Sequence, residues 1–132
     1  MMRLNNLTDL ANLLRSINND KPKDGMGFDM HCNLWDSKYT ELECGTACCI
    51  GGWVHYIKPE TSYLGLIGAV ATLLHKPVEF LDKTWFEVDE LCYPKQYEKA
   101  WDATPQQAAR AVEILRDTGK CDWDRAMREV VA

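Results

Sequence analysis

Apolar residues recur at helical spacing from the start of the chain: Leu7, Leu10, Ala11, Leu14 and Ile17 fall on one face, which predicts an amphipathic helix. Asn6 stands where a side-chain oxygen can cap that helix, and Asp9 lies near its positive end. The pattern then stops. Residues 18–27 carry Asn, Asp, Lys, Pro22 and two glycines, the composition of a solvated loop. Phe28 to Tyr39 is aromatic and interrupted by Asp29, Asn33 and Asp36, which suits an irregular segment or a small β element.

From Gly45 to Ile57 the sequence reads GTACCIGGWVHYI and ends before Pro59. Nearly every position is apolar or small, so this predicts a helix buried on all sides, at the centre of the molecule. Gly51 and Gly52 each weaken it by about 1 kcal/mol relative to Ala, a cost that close approach of another element would offset. Leu66 to His75 predicts a second short helix packed on the first. Between Pro77 and Trp101, Phe80, Trp85, Phe86, Tyr93, Tyr97 and Trp101 are interleaved with Asp82, Glu87, Asp89, Glu90 and Lys95. That mixture reads as a loop followed by a short helix over about 95–101, and as either core cover or a partner surface.

The last third carries the strongest local signals. Thr104, Pro105 and Gln107 supply an N-cap, a first-turn proline and a capping-box partner, and Gly119 supplies a left-handed stop. Ala108, Ala111, Val112 and Leu115 form the buried stripe between them, and Asp122 caps a final helix through Trp123, Ala126, Met127 and Val130. The expectation is a mainly α, single-domain fold over residues 1–132, with a buried central helix and a small β element before it.

Composition narrows the function classes. The chain has 15 Lys plus Arg against 20 Asp plus Glu, a net charge of −5. That balance opposes attraction to phosphates, so direct nucleic-acid binding is not expected. No apolar run reaches bilayer length, and Asn5, Asn6, Asp9 and Asn12 interrupt the apolar stretch a signal peptide needs. A cytoplasmic protein is expected, with its six cysteines as free thiols or metal ligands rather than a disulfide framework.

The candidate chemistry lies in His31, Cys32, Cys44, Cys48, Cys49 and His55. On a helix, Cys44 and Cys48 stand one turn apart on one face. A zinc ion would need both, with His31 and Cys32 as the remaining donors, because His55 lies about 10 Å along the axis from Cys48. The spacing matches no standard zinc module. A thiol in the first helical turn is also acidified by the free N–H groups there, and CGTACC is similar to the CGSC around a papain-type nucleophile. The continuation differs, and neither a base nor its orienting group is identifiable. The third reading is packing: Cys44, Cys48 and Cys49 are small hydrophobes beside Ala47, Ile50, Trp53 and Val54, on a stripe shared with Gly51 and Gly52. Packing is preferred, with no cofactor; zinc is the alternative.

The segments FDM (28–30), CGTACCIGGW (44–53), LGL (64–66) and TPQQAARAVEILRDTGKCDW (104–123) together resemble a group of small, uncharacterised phage and prophage proteins. Cys44, Gly45, Thr46, Cys48, Gly52 and Trp53 carry the most distinctive part, a CGTxxCxxGW motif. The resemblance implies a phage origin and an accessory role inside an infected bacterium, and it brings no catalytic residue. The function preferred for the chain is a non-enzymatic accessory protein that binds and modulates a bacterial host protein. The alternative is a small metal-binding or thiol-dependent protein centred on Cys44 and Cys48.

Overall fold

In a computed structural model of the chain, residues 4–17, 30, 50–58, 60, 65–74 and 81–130 are described. The architecture is mainly helical, and no strand occurs among the described residues. The small β element expected within 28–39, the loop over 18–27 and the first turn of the 45–57 helix lie outside them.

Helix α1 (Leu7–Arg15) begins where its cap predicts: Asn6 Oδ1 accepts from the Asp9 N–H at 2.8 Å, and Asp9 Oδ2 accepts from the Asn5 N–H at 2.9 Å. The first bond satisfies a donor that the first helical turn leaves without an intrahelical partner, and the second ties the residue before the cap to that turn. The helix buries Leu7, Leu10, Ala11, Leu13 and Leu14 and packs along α5 (Pro105–Thr118). The two run antiparallel. Gln106 Nε2 reaches the carbonyl of Ile17 at 3.0 Å at one end, and Arg116 Nη1 reaches Thr8 Oγ1 at 3.0 Å at the other. Buried Ala109 lies three and four positions from Gln106 and Glu113, on the side of α5 that meets α1, and is small enough to let the two helices approach closely.

Both ends of α5 follow the local code. Thr104 Oγ1 accepts from the Gln107 N–H at 3.2 Å while Gln107 Oε1 accepts from the Thr104 N–H at 2.9 Å, completing the capping box. Gly119 closes the helix at φ 76°, the left-handed region, and its N–H donates to the Leu115 carbonyl at 2.8 Å. Helix α6 (Trp123–Glu129) follows at once, capped by Asp122 Oδ1 on the Arg125 N–H at 3.0 Å, and lies against α5 with Trp123 and Ala126 buried.

The other half is built from α2 (Ile50–Ile57), α3 (Gly65–Ala71) continued by a 3-10 turn (Thr72–Leu74), and α4 (Leu81–Cys92). Helix α2 packs on α3, as expected, and buries Ile50, Trp53 and Val54. The central position expected of the 45–57 helix belongs, among the described residues, to α4, which packs on α3, α2 and α5 and so joins the two halves.

That placement corrects the reading of Pro77 to Trp101. Residues 81–92 form a 12-residue helix rather than a loop, and the later short helix is a 3-10 segment over Glu98–Asp102. Val88, Leu91 and Cys92 are buried at the i, i+3, i+4 spacing of a helix face. The period was masked because Phe86, two positions before Val88, sits about 160° away from it at about 100° per residue. Phe86 is 74% exposed, so a large apolar side chain occupies the solvent side of the wheel.

The turn after α4 is held by side chains. The Glu90 carboxylate accepts from the N–H groups of Lys95 and Gln96, both at 2.9 Å, and Asp89 Oδ2 accepts from Lys95 Nζ at 2.8 Å. Trp123 Nε1 donates to the Glu90 carbonyl at 2.9 Å, satisfying an acceptor in the last turn of α4. No helix among the described residues is long and apolar enough to cross a membrane.

Candidate functional site

The sequence-predicted site falls largely beyond what the structure describes: His31, Cys32, Cys44, Gly45, Thr46, Cys48 and Cys49 lie outside the described residues. Gly52, Trp53 and His55 are in α2, and Trp53 is part of the core. Among the described residues, no group of three or more His, Cys, Asp and Glu is placed to hold a metal ion.

Three other features are open to a ligand or partner. The first is Phe86, presented to solvent by a helix whose opposite face is sealed in the core. In the sequence it stands among the interleaved aromatics of 80–101, and a helical wheel over residues 81–92 sets it apart from Val88, Leu91 and Cys92.

The second is a line of alternating charges across three helices. Arg125 Nε lies 2.9 Å from Glu129 Oε2, and Arg110 Nε 2.7 Å from Glu129 Oε1. Arg110 Nη1 then stands 3.5 Å from Glu113 Oε1, and Arg15 closes on Glu113 with two bonds of 2.8 and 3.1 Å. The line joins α6 to α5 and α5 to α1. Hydrogen bonds from Arg15, reinforced by its charge and by Arg110, hold the Glu113 carboxyl below the ordinary glutamate range. Hydrogen bonds from Arg125 and Arg110 do the same for Glu129. Each exposed pair contributes little alone, whereas several sharing partners fix the relative placement of the helices they join.

The third comprises two depressions. One, of about 480 Å3, lies between the first turn of α1 (Asn6, Leu7, Thr8) and the end of α5 (Leu115 to Gly119), floored by Leu73 and Leu74. Its Arg116 is bonded to Asp117 at 2.8 Å and to Thr8 at 3.0 Å, and the Asp117 hydrogen bond raises the guanidinium pKa further. The other, of about 160 Å3, is bounded by Glu90, Tyr97, Cys121 and Trp123. Burial pushes the Cys121 thiol pKa upward, and the Glu90 and Glu87 carboxylates add to the shift. Glu87 also accepts from the Cys121 N–H at 3.0 Å. Cys121 is therefore protonated and poorly nucleophilic at neutral pH, the opposite of an activated cysteine.

The resolved shifts share one direction. Glu113, Asp117 and Glu129 are held more acidic, Lys95, Arg110 and Arg116 more basic, and Cys121 more firmly protonated. Each moves away from neutrality, as ion pairing does for the charged groups and burial for the thiol. The described portion is thus a mainly helical scaffold whose accessible features are surfaces and shallow depressions. Comparison of the chain with protein-family models, with curated proteins and with solved structures finds no match.

Proposed function

We propose that this protein is a non-enzymatic accessory protein of phage type that acts in the bacterial cytoplasm by binding a host protein. The observation that carries the reading is Phe86: a large aromatic, 74% exposed, on a helix whose other face is buried in the core through Val88, Leu91 and Cys92. Aromatic anchors on rigid elements are the residues that contribute most at protein interfaces, because they bury a large area with few rotamers to fix. The resemblance of residues 44–53 and 104–123 to phage and prophage proteins supports the setting.

Site-specific photo-crosslinking in bacteria tests this. A crosslinking phenylalanine analogue at position 86 is expected to give a discrete adduct with one host protein. The same analogue at Asn12, exposed on α1, is expected to give none. Equal, diffuse labelling from both positions overturns the assignment of α4 as the binding surface.

A further inference from the structure

We draw no further inference here: the strongest candidate, the depression of about 480 Å3 between the first turn of α1 and the C-terminal end of α5, rests on a helix N-terminus whose polar neighbours Thr8, Arg116 and Asp117 are already bonded to one another, and nothing among the described residues shows what would occupy it.

Discussion

Replacing Gln107 with alanine tests whether one buried amide holds two helix ends together. Gln107 is 4% exposed, and its two side-chain polar atoms serve different elements. Oε1 accepts from the Thr104 N–H at 2.9 Å at the start of α5, and Nε2 donates to the Val130 carbonyl at 2.8 Å at the end of α6. Alanine removes two hydrogen bonds of about 1 kcal/mol each and leaves a donor and an acceptor without protein partners. Thr104 and Val130 are both half-buried, so water reaches the orphaned groups in part and the desolvation penalty falls at the low end of about 1–3 kcal/mol. The better helix propensity of alanine returns only a few tenths. The expected loss is about 2–3 kcal/mol, or roughly 8–12 °C at about 4 °C per kcal/mol. Urea unfolding followed by tryptophan fluorescence measures it, and hydrogen exchange over 123–130 reports whether α6 loosens first. Gln107→Glu separates the two contacts. It keeps an acceptor for Thr104 but sets a carboxylate oxygen against the Val130 carbonyl, so the Val130 bond is lost and a repulsion added, and the cost should shrink at acid pH, where the protonated carboxyl can donate to Val130. If Gln107→Ala costs under about 0.5 kcal/mol, water replaces the amide and the clamp is refuted. If Gln107→Glu matches wild type, the Val130 bond contributes nothing.

Three further outcomes follow from the same structure. Leu91→Ala empties a fully buried position on α4 and should cost about 2–5 kcal/mol, whereas Phe86→Ala should stay within about 0.5 kcal/mol in the same denaturation assay; a large loss at Phe86 would place it in the core. Gly119→Ala meets no atom within 4 Å but must adopt φ 76°, so about 1 kcal/mol of backbone strain is expected, with less for Gly119→Asn; an unchanged melting temperature in both would refute the left-handed cap. Glu113 and Glu129 have folded pKa values below the ordinary glutamate value of 4.5, so the stability they contribute is fully present above that pH and is lost as pH falls through the folded values. Urea midpoints should therefore drop below about pH 4.5, and Glu113→Gln should flatten that drop; an acid limb unchanged by the substitution would show that other carboxylates set it.

What was legible in the sequence depended on how far apart the cooperating residues lie. Asn6, Thr104, Gln107, Gly119 and Asp122 act on backbone groups within four positions, and each sits at the helix end where its chemistry places it. Nothing local announces that Gln107 also reaches Val130, that Arg15 pairs with Glu113, or that Trp123 caps a carbonyl of α4, because these partners are brought together only by packing. Helix α4 falls between the two cases. Its buried face obeys a local period, but no Ser, Thr, Asn or Asp stands between Pro77 and Leu81 to signal its start, and Phe86 places an aromatic where the wheel calls for a polar residue. Apolar periodicity can be read only when apolar residues are confined to the inside, so a large apolar residue on the outside of a helix corrupts the very pattern used to find the helix. Gly52 and Trp53 illustrate the complementary limit. Their CGTxxCxxGW context is distinctive, yet small residues and buried aromatics serve close packing and chemistry equally well, and Trp53 lies in the core. For α4 the inference therefore runs in reverse: the residue that hid the helix from its sequence is, by its exposure, the first one to test as a contact.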